Sequence, residues 1–162
     1  MPAVSRLDDL RGIDQAIARI TRVSTGRVAA RHRAERSGVM LSRPSIAILS
    51  ALKSAGPVRP SSLARLTDLE APLISREIRE LCDGGYVRRS ADPTDGRAGI
   101  VELTAKGQEA WQAHRAATDQ ITAETFAGWS APELHELRLI LDRLSASIAH
   151  GPDRLDRASR AS

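Results

Sequence analysis

The chain has 162 residues, 41% of them hydrophobic but only 2% aromatic, and a formal net charge of +4. That length holds one ordinary domain or a compact two-lobed one, and a core so poor in rings must be aliphatic and alanine-rich, which favours packed helices over an aromatic-rich sandwich or barrel. No apolar run approaches the ~18 residues that cross a bilayer, acids interrupt Met1 to Ile20 where a secretory leader would be unbroken, and the expected location is the cytoplasm with no membrane partner.

Leu10, Ile13, Ile17 and Ile20 recur at spacings of 3, 4 and 3, a heptad-like seam that predicts a long first helix. It is expected to continue through Val28 to about Glu35, with a basic later part from Arg27 to Arg36, and to break at Ser37-Gly38. Ser42-Arg-Pro44 predicts a helix start, with Ser42 as N-cap and proline in the first turn. Ile46, Leu49 and Leu52 form its buried stripe and Gly56-Pro57 its end. A short helix follows from Ser61 to about Thr67, burying Leu63 and Leu66, and Asp68-Leu-Glu70 is the turn. The next helix runs from about Ala71 to Asp83 and stops at Gly84-Gly85. The period then changes. Tyr86 to Ser90 and Gly99 to Leu103 are β-type runs around a long tip, Ala91 to Ala98, dense in turn formers. Thr104 caps a long alanine-rich helix reaching about Ala127, and Ser130-Ala-Pro-Glu133 is a capping box. The helix it opens carries Leu134, Leu137, Leu141, Leu144 and Ile148 at spacings of 3, 4, 3 and 4, and Gly151-Pro152 stops it. No internal repeat is present.

Three short helices followed by a β-hairpin make a winged helix-turn-helix, in which one helix fits the major groove and the hairpin reaches the adjacent backbone or minor groove. On a helical wheel over Ala71 to Asp83, Ile74, Ile78, Leu81 and Cys82 share one side. Pro72, Arg76, Arg79 and Asp83 lie opposite, with Ser75 on the flank. For an isolated helix this would be a plain solvated face; between a helix-turn and a hairpin it is the face that reads DNA. At the hairpin tip, Asp95-Gly-Arg97 places a carboxylate two residues before an arginine. That spacing suits a guanidinium oriented for a narrow minor groove, and equally an Asp-Gly turn with an exposed arginine.

The run from Asp92 through Arg97 and Leu103-Thr104 to Gly107 resembles the wing signature of MarR-type transcriptional regulators, in which an Asp-x-Arg tip leads into a strand ending Leu-Thr-x-x-Gly. Ile74-Ser-Arg76 and Leu81 through Gly85-Tyr-Val-Arg-Arg89 are similar to that family's recognition helix and its exit. The likeness covers roughly residues 10 to 150. Many members carry a second arginine where Gly96 stands, which leaves more weight on Arg97. The resemblance implies a homodimer of interlocked terminal helices, a DNA-binding lobe, and a small aromatic or phenolic effector bound between the dimer helices and that lobe. For such a pocket, Trp111 and the arginines late in the first helix are the candidates, Trp111 being better suited to core packing.

The expected fold is mainly α with a small β-hairpin wing: a dimerisation helix over 1–40, a winged helix-turn-helix lobe over 41–107, dimerisation helices over 108–150 and a polar tail over 151–162. DNA binding falls to Ser75, Arg76, Arg79, Asp95 and Arg97, and dimerisation to Leu10, Ile13, Ile17, Ile20, Leu137, Leu141, Leu144 and Ile148. The expected function is a homodimeric repressor of double-stranded DNA at a pseudo-palindromic operator, released by a small ligand. From Pro57 to Gly99 seven arginines meet seven acids, whereas Arg22 to Arg43 holds six arginines and one acid. A phosphate-binding surface on the lobe must therefore be a local patch. That neutrality, together with Gly96 at the wing tip, motivates one alternative, a winged-helix interaction protein without DNA binding. A second is a thiol sensor at Cys82, which excludes by its singleness any intramolecular disulfide framework and sits on the apolar side like a small core residue. A helical enzyme is the least supported class: His32, His114, His135 and His150 lack metal-ligand spacing, and neither a phosphate loop nor a nucleophile elbow is present. No cofactor and no metal are expected.

Overall fold

The computed structural model describes residues 5–92 and 95–149, with side chains described at all of these except 92 and 95–98. The expected stop at Gly151-Pro152 and the tail over 151–162 therefore lie outside the described residues. The chain divides into two units, Met1–Ile121 and Thr122–Ser162.

In the first unit, α1 (Arg6–Thr25) starts at Ser5, whose hydroxyl accepts from the Leu7 N–H at 3.3 Å, and carries Asp8 and Asp9 in its first turn. The acids suit the positive end of the helix dipole. The single long helix expected here is two. Gly26, at φ −66° and ψ 165°, separates α1 from α2 (Arg27–Ser37). The cause is local. The Ser24 and Thr25 hydroxyls both donate to the Thr21 carbonyl, and Arg33 Nη2 donates to the Ser24 carbonyl at 3.1 Å. The Ser24 carbonyl, among the last four of α1, thus finds a partner without the helix continuing, and the two hydroxyls that bond back to Thr21 favour a bend in the last turn. A Cβ at Gly26 would stand 2.8 Å from the Arg22 carbonyl oxygen, so the break needs glycine. Gly38, at φ +67°, closes α2 as expected.

The core forms where α3 (Arg43–Ala55), α4 (Pro60–Thr67) and α5 (Ala71–Asp83) meet β1 (Val87–Asp92) and β2 (Asp95–Leu103). Ile48, Leu49, Leu52, Leu63, Ile74, Ile78, Leu81, Val87 and Val101 are buried there, each contributing roughly 1.5–3 kcal/mol through its lost hydration. Ser42 caps α3 by accepting from the Ser45 N–H at 3.0 Å, and Gly56 at φ +75° ends it. Two expected core residues lie elsewhere. Leu66 is exposed, because the turn residue Leu69 packs against the core in its place, and Ile46 is half-buried beside a cleft on the far side of α3. Asp68 takes the left-handed conformation between α4 and α5.

The hairpin pairs Val87 with Leu103 through Ala91 with Gly99. It then slips register and pairs Asp92 with Asp95, so strand continues into what was expected to be a long tip. Val58 joins it through two backbone hydrogen bonds with Val101, of 3.1 and 2.8 Å. Thr104 caps α6 (Ala105–Thr125) by accepting from the Gly107 N–H at 3.1 Å while donating to the Gly85 carbonyl at 2.7 Å. Trp111 packs against the core, with Lys53 Nζ 6.0 Å from its ring centre.

In the second unit, α6 ends at Thr125, Phe126 and Trp129 meet edge to face at 5.5 Å, and α7 (Ala131–Ala149) follows. Glu133 accepts from both the Ser130 N–H, at 2.8 Å, and its hydroxyl, at 2.7 Å. The hydroxyl thus donates to the carboxylate rather than accepting a backbone N–H. No described residue of α7 is buried. No helix among the described residues is long and apolar enough to cross a membrane.

Candidate nucleic-acid interface

The sequence of α5 sorts its side chains. Pro72 fits the first turn, where its missing N–H costs nothing. Ile74, Glu77, Ile78 and Leu81 are buried, whereas Pro72, Ser75, Arg76, Arg79 and Asp83 are exposed. The helix–turn–helix formed by α4, Asp68–Glu70 and α5 therefore presents Ser75, Arg76 and Arg79 on its open side. Cys82 is half-buried against the core.

The two arginines differ. Arg76 Nη2 donates to Glu77 Oε1 at 3.3 Å, and its Nε lies 3.8 Å from Glu80 Oε1. Arg79 makes no ion pair among the described residues. Glu77, which the wheel passed over, is 2% exposed. Its Oε2 accepts from the hydroxyls of Ser42, at 2.6 Å, and Ser45, at 2.7 Å. Burial pushes this carboxyl's pKa up, but the hydrogen bonds from Ser42, Ser45 and Arg76, with the arginine's charge, outweigh it and hold it below the ordinary value. Its place three residues after Ile74 and four before Leu81 was the signal for its burial, but its hydroxyl partners lie 35 and 32 residues upstream, beyond the reach of any local pattern.

On the hairpin, Arg88 is bound across the strands to Glu102, Nε to Oε1 at 3.0 Å, with Ser90 donating to the same oxygen at 3.1 Å. These bonds, Arg88's first, hold the Glu102 pKa down. Arg89 is exposed and, with Arg59, Ser61 and Ile100, lines a cleft of about 300 Å³ between the start of α4 and the strands. Asp95 and Arg97 have their backbone in β2; their side chains lie outside the described residues.

Of the residues assigned to dimerisation, Leu10, Ile13 and Ile20 are exposed on α1 and Ile17 is half-buried. On α7, Leu141 and Ile148 are exposed, and Leu137 and Leu144 half-buried. A cleft of about 500 Å³ opens among α1, α2, α3 and α6, lined by Arg33, Arg43 and His114 together with Val39, Leu41 and Ile46. Trp111 is not among its lining residues, because it packs on the core; of the arginines late in the expected first helix, Arg33 is. Burial, and then the charge of Arg33, lower the His114 pKa from its ordinary 6.5. No cluster of three or more metal-ligating side chains exists among the described residues.

This arrangement has close counterparts. Residues 41–98 match the model of the MarR family. An HTH-type transcriptional regulator of Mycobacterium bovis is 32% identical over 122 residues, which are 75% of this chain and 84% of that protein. A probable transcriptional regulator from Pseudomonas aeruginosa is 33% identical, with 86% of this chain and 99% of that one covered at a TM-score of 0.61. A MarR family transcription regulator of known structure reaches a TM-score of 0.72 at 27% identity, covering 88% of this chain and 94% of its own. With a lobe of this build and relatives of this likeness, the chain belongs to the MarR family of winged helix-turn-helix, DNA-binding transcriptional regulators.

Proposed function

We propose that the protein is a homodimeric repressor that binds a pseudo-palindromic operator and is released by a small ligand. One observation carries the reading: α5 keeps its apolar residues in the core and turns Ser75, Arg76 and Arg79 outward. A helix so placed enters the major groove, and a dimer sets two such helices into successive grooves. Residues 41–107 are the DNA-binding lobe, and Arg97, oriented by Asp95, enters the minor groove from the wing. An E. coli MarR mutant with this fold, at 17% identity and a TM-score of 0.66, was solved with operator DNA.

Supporting the dimer, α1 exposes Leu7, Leu10, Ile13 and Ile20, and α7 exposes Leu139, Ile140, Leu141 and Ile148. Apolar faces of this kind mark association surfaces. The ligand belongs to the cleft of Arg33, Arg43 and His114, whose two guanidinium groups and apolar wall suit an aromatic or phenolic anion. Relatives of this fold include one from Bordetella bronchiseptica whose DNA binding is regulated by 6-hydroxynicotinic acid and one from Streptomyces coelicolor solved with its natural ligand. The cytoplasm is the location this function requires.

The test is a mobility shift with the DNA upstream of the protein's own gene, in the presence of excess random duplex. A saturable shift is expected. No shift even at low salt would refute the reading.

A further inference from the structure

A buried carboxylate on the reading helix needs a reason. Glu77 faces the core, where an apolar side chain of similar volume would serve folding as well or better. Instead its oxygens are divided. Oε2 is taken by the hydroxyls of Ser42 and Ser45 in the first turn of α3, and Oε1 faces Arg76 Nη2. Ser42 is itself fixed as the N-cap of α3 by the Ser45 N–H. The carboxylate therefore cannot turn without losing two hydroxyl bonds, and it offers the exposed Arg76 side chain a stationary partner.

Charge adds a second consequence. Glu77 at 3.3 Å and Glu80 at 3.8 Å set two carboxylates against one guanidinium. Such an arginine has little net charge left for a phosphate, yet most of its five N–H donors remain for the acceptors of a base edge. Arg79, without a carboxylate among the described residues, keeps its full charge on the same exposed face. We infer that Glu77 is a positioning residue for sequence reading: anchored on Ser42 and Ser45, it holds Arg76 as a base reader and leaves phosphate contact to Arg79. The inference rests on the DNA-binding reading above.

The experiment uses the full chain and two duplexes, one selected from a randomised library by the wild-type protein and one of random sequence. Arg76→Ala should lower affinity for the selected duplex roughly 5- to 150-fold, the worth of a bidentate base contact. It should leave the random duplex and the salt slope unchanged. Glu77→Gln should do the same, and Arg76→Ala with Glu77→Gln should lose no more than Arg76→Ala alone. Arg79→Ala should weaken both duplexes and flatten the slope of log K against log salt by about 0.9 per lost phosphate contact. Glu77→Leu repeats the test should the glutamine variant not fold.

In the free protein, the Arg76 Nε–H resonance, identified by its loss in Arg76→Ala, should show slow guanidinium rotation in the wild type and fast rotation in Glu77→Gln. Additive losses overturn the inference, as does a Glu77→Gln protein that binds like wild type while Arg76→Ala does not. A Glu77→Gln protein that weakens both duplexes in equal proportion also overturns it, since that is what a merely structural role would give. If the wild type selects no sequence, the functional reading falls, and the NMR measurement still decides whether Glu77 holds Arg76.

Discussion

Gly107→Ala should destabilise the protein, although the substitution replaces a poor helix former with the best one. Gly107 lies in the first turn of α6, against the chain that leaves α5. A Cβ there would run into the Tyr86 carbonyl oxygen, and would stand 2.9 Å from its carbonyl carbon and 3.1 Å from Leu103 Cδ2. A carbon and a carbonyl oxygen need about 3.3 Å, so α6 must withdraw from Tyr86. Withdrawal breaks the Thr104 N–H to Tyr86 carbonyl bond, now 3.1 Å, and disturbs the cap from Thr104 Oγ1 to the Gly107 N–H. A backbone hydrogen bond is worth about 1 kcal/mol and a cap about 1 kcal/mol, and overpacking costs about 1–3 kcal/mol more. The helix propensity of alanine returns about 1 kcal/mol. The net is a loss of roughly 2–4 kcal/mol, or a fall in Tm of roughly 4–16 °C for a chain of this size. The same change at Gly12, in the middle of α1 where a Cβ meets nothing within 4 Å, should stabilise by about 1 kcal/mol. Urea unfolding followed by circular dichroism measures both. A Gly107→Ala midpoint at or above wild type would refute the steric reasoning.

Leu141→Glu should dissociate the dimer, because a carboxylate left unpaired in an apolar interface costs several kcal/mol; sedimentation velocity reads the result, and a wild type that is monomeric at micromolar concentration would sink the assembly proposal. On the wing, Arg97→Ala should weaken operator binding more than Asp95→Ala, and the double change should match Arg97→Ala alone, because the carboxylate acts through the arginine; operator titrations showing additive losses would assign the two residues independent roles. The cleft histidine sets a pH dependence. Its pKa is lowered in the fold, so the unfolded chain takes up the proton first, and the His114 contribution to stability falls as pH drops below about 6.5 until the folded-state pKa is passed. Urea midpoints should then fall less for His114→Gln than for wild type over that window, and parallel curves would contradict the assignment.

Local chemistry made most of the fold legible. The end of α5 followed from the Gly84-Gly85 stop, and its two faces followed from the 3.6-residue period. What escaped was non-local or competed with a stronger pattern. The break at Gly26 was overridden by the isoleucine spacing of the first helix, although the hydroxyls of Ser24 and Thr25 were there to be weighed. Leu66 was assigned to the core because a helix of eight residues has too few turns to define a stripe. The period of α5 already places Glu77 on the apolar side, but a charge there competes with the pattern, and only the packing of α3 against α5 supplies the two hydroxyls that satisfy it. The cleft of Arg33, Arg43 and His114 draws on four helices, so no single segment announces it. Gly107 was visible as part of a motif, but its reason, the Tyr86 carbonyl, appears only in the packed structure.

The central claim is that α5 binds operator DNA through Arg76 and Arg79. Its most direct test is an equilibrium titration of a fluorescent duplex, selected from a randomised library by the wild-type protein, with wild type and with the Arg76→Ala, Arg79→Ala double variant at one fixed salt concentration. The account predicts saturable wild-type binding at two chains per duplex, and a double variant that retains its fold by circular dichroism but binds the selected duplex no better than a random one. A folded double variant that binds the selected duplex with wild-type affinity would contradict it.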